Sequence, residues 1–180
     1  MRAERILVAG VGNVLTGDDG FGVRVVEALQ ECGDLPSTVR LVDVGIGGIH
    51  LVQELMDGYD ALIVVDTVER DGRPGTVYLL EPRVPEIADL DEADRSGFLA
   101  ETHYAVPAKA LLLARALGVL PERVYIVGCQ PARIELGLAL SAAVDRAVGV
   151  AVQRVKSLVG ALQDRGAKSA PATRLAGVKP

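Results

Sequence analysis

Five apolar runs rich in β-branched residues recur along the chain: RILVAGV (5–11), TVRLVDV (38–44), ALIVVD (61–66), TVYLL (76–80) and RVYIVGC (123–129). Each is bounded by Gly, Pro or Asp and is nearly continuous rather than alternating, which marks strands buried on both faces. Helices must cover those faces. GVRVVEALQEC (22–32), GIHLVQELM (48–56), AKALLLARALG (108–118) and SAAVDRAVGVAVQRVKSLVGALQ (141–163) carry apolar residues at helical spacing between and after the strands. The alternation implies βαβ units. The predicted class is α/β, a three-layer αβα sandwich around a five-stranded, mostly parallel twisted sheet. DGRPGT (71–76) reads as a tight turn, and so short a connection between the third and fourth runs predicts a hairpin and one antiparallel strand.

A chain of 180 residues buries roughly 70% of its unfolded surface, enough for one core. We expect a single domain over 1–164, with a surface excursion at 81–102 that holds a short helix. The segment 165–180, RGAKSAPATRLAGVKP, has four basic and no acidic residues and is expected to be disordered. Net charge is −5 and no basic cluster precedes that segment, so a nucleic-acid partner is not indicated. The N-terminal apolar run is shorter than the roughly 7–15 residues of a secretory core, and no stretch reaches the roughly 18 of a membrane span. A cytoplasmic protein without a membrane partner is expected. Cys32 and Cys129 form no CxxC, so neither a disulfide framework nor a thiolate zinc site is indicated, and both are expected as buried small side chains.

The turn GVGNVLTGDDGFG (10–22) lies where a dinucleotide-binding fold would seat a pyrophosphate. Leu15 stands in place of the third glycine, and Asp18 and Asp19 would repel a phosphate from the helix N-terminus. Asp43 comes too late to serve as the ribose acceptor. Helix capping accounts for one acid, Asp18 at N-cap, at about 0.5–2 kcal/mol. It leaves Asp19 unexplained. Gly20 and Gly22 weaken a first turn by about 1 kcal/mol each relative to Ala, which implies that something approaches this backbone closely.

Asp66 ends a doubly buried strand, where a carboxylate must be paired, hydrogen-bonded or metal-bound. A turn role, accepting the N–H groups of Thr67 and Val68, is one reading. The other follows from topology. If the second and third strands flank the first, the crevice opens outside the carboxyl ends of strands one and three, and Asp19 and Asp66 emerge there. Of the two histidines, His50 lies in a predicted helix beside apolar residues and reads as a packed or rim residue rather than a ligand. His103 falls on the connection before the helix that Pro107 begins. Imidazole and two carboxylates suit a divalent first-row metal, so Asp19, Asp66 and His103 are the candidate ligands.

The segments GVGNVLTGDDGFGVRVVEAL (10–29), IVVDTVERDGRPGTV (63–77), ETHYAVPAKALLLARALG (101–118) and VGCQPARIELGLALSAAV (127–144) together resemble the hydrogenase maturation endopeptidases. That family trims the C-terminus of the large subunit of nickel-iron hydrogenases. The resemblance implies a phosphorylase/hydrolase-type sandwich and assigns the strand-one acid, the strand-three acid and the loop histidine to Asp19, Asp66 and His103. It implies that the metal is nickel carried by the substrate, with other divalent ions able to substitute. The partner would be the nickel-iron hydrogenase large-subunit precursor, and the enzyme a monomer or weak homo-oligomer. The small residues near Asp19 would admit the substrate's tail and its nickel. The family's substrate-facing segment after the second strand reads Asp43-Val44-Gly45-Ile46 here, in place of D-G-G-T or D-C-G-T.

Two chemistries fit Asp19 and Asp66 as catalytic residues. The family is grouped with aspartic peptidases, whose dyad shares a proton across about 3 Å. Asp66-Thr67-Val68 lacks the following glycine of that turn, and attack by water on a metal-polarised carbonyl, with one Asp as base, fits as well. The alternative to a peptidase is a non-catalytic metal- or nucleotide-binding module.

Overall fold

The computed structural model describes residues 4–86 and 106–168. Strands β1 (Ile6–Val11), β2 (Val39–Gly45), β3 (Ala61–Thr67), β4 (Val77–Leu80) and β5 (Arg123–Cys129) alternate with helices α1 (Phe21–Cys32), α2 (Gly48–Leu55), α3 (Val106–Ala116) and α4 (Ala142–Lys168). The last helix thus continues past residue 164 into the segment expected to be disordered. Residues 87–105, including the short helix expected there, and 169–180 lie outside the described residues.

The sheet order is β2-β1-β3-β5-β4. Four strands run parallel, and β4 alone is antiparallel. Every residue of β1 is buried, because alternate side chains enter different cores. Ile6 and Val8 join Ile63, Val65, Val127 and the inner faces of α1 and α4. Leu7 and Ala9 join Leu62, Val64, Val42 and the inner faces of α2 and α3. That double burial is what made the strand runs continuous, and it yields the three-layer sandwich. Pro107 lies in the first turn of α3, where its missing N–H breaks no helical bond. Among the described residues no helix is long and apolar enough to cross a membrane.

Two expectations need correction. β4 is antiparallel, but it pairs with β5, from Val77↔Cys129 to Leu80↔Ile126, and no β3–β4 hairpin forms. The connection 68–76 instead wraps over the end of β5: Val68 N–H donates to Cys129 O at 2.9 Å and Gly75 N–H to Gln130 O at 2.8 Å. The buried Gln130 holds this strap, its Oε1 accepting the N–H groups of Arg70 and Gly72 at 2.8 and 3.2 Å. Sequence spacing read the connection as a two-strand turn because it cannot see a later strand inserted between. Cys32 is exposed, not buried. The inward stripe of α1 ends at Leu29, and residues 30–34 project past the packed layer.

Candidate active site

β1 and β3 pair in parallel from Ile6↔Ala61 to Gly10↔Val65, so Asp66 emerges one residue past the last rung. From the end of β1 the chain loops through Asn13–Thr16 into a 3-10 turn, Gly17–Gly20, and then into α1. With β2 on the other side of β1, this is the crevice at the strand-order switch where open α/β sheets bind ligands.

Of the two glycines where a close approach was expected, Gly22 is approached by the protein's own sheet and Gly20 by Val14 of the preceding loop. A Cβ on Gly22 would stand 2.1 Å from Val65 O and 2.3 Å from Val11 O, and one on Gly12 would stand 1.8 Å from Asp19 O. Gly22 lets the start of α1 sit directly on the ends of β1 and β3, and Gly12 (φ 132°) lets the Asp19 backbone fold against strand one. These contacts place the turn over the crevice.

Asp19 is partly buried there. Its Oδ2 accepts the Asn13 N–H at 2.9 Å and lies 3.3 Å from the Thr16 hydroxyl. Its Oδ1 lies 3.3 Å from the Thr67 hydroxyl, the donor. Asp66 accepts the Thr67 N–H on Oδ1 at 2.7 Å. Thr67 therefore connects the two carboxylates. The turn reading of Asp66 is half met, since Val68 N–H goes to Cys129 O instead.

Withdrawal from water pushes the Asp66 carboxyl up to about 8. The Thr67 N–H works against that rise, the Asp19 charge adds to it, and the Thr67 hydroxyl opposes it. A carboxyl tuned so near neutrality can hold or release a proton at working pH, which is what general acid–base chemistry requires. The pair also offers oxygen donors to a cation. His103, the third candidate ligand, lies outside the described residues, and among the described residues no group of three His, Cys, Asp or Glu side chains is arranged for a metal.

Asp18 is not a helix cap. α1 begins after Gly20 with no side-chain cap bond. Asp18 is fully buried and turned away from Asp19 into the loop that follows β5. Its Oδ2 accepts from Ala132 N–H (2.8 Å), Arg133 N–H (3.1 Å) and the Ser141 hydroxyl (2.9 Å), and its Oδ1 from Ser141 N–H (2.6 Å). Burial works against its ionisation, but the N–H donors of Ser141, Ala132 and Arg133 outweigh it and hold its pKa below the usual value. Capping logic failed because it considers only the local helix, whereas the partners lie more than 110 residues away.

The remaining candidates have local roles. Asp43 Oδ1 accepts Gly45 N–H at 2.8 Å, an Asx turn closing β2. His50 sits on the exposed rim of α2, 3.7 Å from Glu54. Cys129 is buried, and desolvation, with the Asp18 charge adding, pushes its thiol up to about 12, so it is no nucleophile. Asn13, Thr16 and Thr67 were missed from the sequence. The adjacency of Thr67 to Asp66 is the one signal that could have found it.

A family model described as hydrogenase maturation protease matches residues 23–158. The chain is 35% identical to the hydrogenase expression/formation protein HupD of Rhodobacter capsulatus, over 87% of this chain and 73% of that one. It is 33% identical to the hydrogenase 2 maturation protease of Escherichia coli, over 93% of this chain and 96% of that one. The solved structure of the E. coli hydrogenase maturating endopeptidase HybD superposes with a TM-score of 0.71 at 31% identity, covering 88% and 93% of the two chains. A shared sheet, a shared sequence over most of its length and a crevice carrying two acids make one conclusion: the chain belongs to the hydrogenase maturation protease family and is a peptidase.

Proposed function

We propose that the enzyme removes the C-terminal extension of a nickel-iron hydrogenase large-subunit precursor after nickel has been inserted, with Asp19, Asp66 and His103 meeting the nickel that the precursor carries. The observation that carries this reading is the pairing of Asp19 with Asp66 through Thr67 at the switch-point crevice. A divalent ion entering beside them favours the ionised carboxylates, so it draws the proton from Asp66, whose pKa stands at about 8. Cation arrival thereby converts Asp66 from a neutral acid into a ligand or base. An empty precursor leaves the pair as two carboxyls sharing a crevice, with no charge to organise the scissile peptide.

Mass measurement of nickel-loaded and nickel-free precursor after incubation with the enzyme tests the proposal. Loss of a C-terminal peptide from the loaded form alone is expected. Equal cleavage of both removes the nickel dependence, and cleavage of neither overturns the substrate assignment.

A further inference from the structure

The loop after β5 presents a physical puzzle. Residues 132–139 are exposed throughout, with Leu136 and Leu138 at 89% and 70% of their full surface, so the loop adds little to either core. Yet a completely buried carboxylate, Asp18, holds its two ends with four hydrogen bonds, two to its start and two to Ser141 at its finish. Burying a charge to fix an exposed loop is poor design for stability alone, since a buried, satisfied charge does little better than an apolar replacement.

The middle of the loop is tied as well. Gly17 N–H donates to Gly137 O at 2.7 Å and Gly137 N–H to Leu15 O at 2.9 Å, a parallel bridge between Thr16 and Gly137. The Thr16 hydroxyl in turn lies between two acceptors, Asn13 O at 3.0 Å and Asp19 Oδ2 at 3.3 Å. The loop therefore grips the turn at residue 18 on one side and at residues 15–17 on the other, and the backbone of Asp19 lies next to both grips.

We propose that Asp18 is a positioning residue for peptide cleavage: by clamping the loop 132–141 onto the turn 16–20, it fixes where the Asp19 carboxylate stands in the crevice. This rests on the reading that Asp19 acts at the cleavage site. Asp18 and Asp19 then divide one short turn between them, the first facing inward as the anchor and the second facing the substrate.

The test uses the full chain, the nickel-loaded precursor and three variants. Asp18→Asn puts an amide N–H where a donor already points, so one arm of the clamp opens. Gly137→Pro deletes the N–H that reaches Leu15 O without touching any carboxylate. Both are expected to lower kcat by about 10–100-fold, the range that a misplaced reacting group produces, with KM changed less than about threefold. Hydrogen exchange is expected to show lost protection at the amide of Gly17 in both variants, and at that of Gly137 in Asp18→Asn, while the amides of β1 and β3 keep theirs.

A fall in activity that merely tracks the folded fraction, or unchanged kcat in folded variants, overturns the proposal. Should Asp18→Asn fail to fold, Gly137→Pro decides alone. Asp19→Asn separates the two readings. If it stays active, the role of Asp19 fails; if it is inactive while Asp18→Asn and Gly137→Pro are fully active, only the positioning role fails.

Discussion

The hydroxyl of Thr67 lies 3.3 Å from Asp19 Oδ1, across a sequence separation of 48 residues, while the N–H of the same threonine donates to Asp66. One residue thus couples the acid that follows strand one to the acid that ends strand three. It does so because β1 and β3 are neighbours in register, so that the position after Asp66 faces the returning turn.

Thr67→Val keeps the side-chain shape and the N–H to Asp66 and removes the hydroxyl, and with it both the bond to Asp19 and the hydroxyl's pull on the Asp66 carboxyl. A single hydrogen bond to a charged group contributes about 1.5 kcal/mol or more, so kcat on nickel-loaded precursor is expected to fall about tenfold. Thermal unfolding should move little, because the threonine is only partly buried. Full activity in this variant would show that the connection is incidental.

Stability should depend on pH through the half-buried Asp66 and the buried Asp18 in opposite senses. The Asp66 carboxyl, raised from 3.8 to about 8, keeps its proton in the folded state after the unfolded chain has lost it. Stability therefore declines as pH rises through that window and levels off above it. Asp18, held below its usual value by its N–H donors despite burial, contributes stability that is present above 3.8 and is lost as pH falls through the lowered pKa. Urea unfolding across pH should show Asp66→Asn flattening the decline at neutral pH and leaving the acid limb in place. An unchanged slope in that variant would mean that Asp66 is not the raised group.

Two glycines should respond in opposite directions to alanine. At Gly22 the new methyl meets backbone oxygens of both β1 and β3 within 2.3 Å. Neither strand can yield, and a loss of about 2–3 kcal/mol is expected. Gly160 lies on the exposed face of α4 with nothing within 4 Å of the new atom. There the helix gains about 0.5–1 kcal/mol. Denaturant midpoints of the two variants provide the comparison.

The cysteines should differ in reactivity. Cys32 is exposed, whereas Cys129 is buried with its thiol pushed up to about 12. Brief alkylation of the folded protein followed by peptide mapping should modify Cys32 and spare Cys129, and prior unfolding should expose both. Modification of Cys129 in the native state would contradict the packing of β5 against α1 and α4.

Much was determined by the sequence itself. Continuous β-branched runs can be stable only as strands covered on both faces, and the helical spacing between them supplied the cover, so the sandwich and nearly all element positions were legible. That Asp19 and Asp66 come to one crevice was also legible, because one lies in the turn that follows β1 and the other near the end of the neighbouring β3. What sequence could not give were relations set by distant segments. The insertion of β5 beside β3 turned an expected hairpin into a strap, and that strap begins directly after Thr67. Asp18 looked like a local cap because its true partners, Ala132, Arg133 and Ser141, come to it only when β5 and α4 pack. Gly22, which read as an opening for a ligand, proved to be a contact with Val65 and Val11. Local patterns record which groups must be buried, and only the folded chain decides which groups satisfy them.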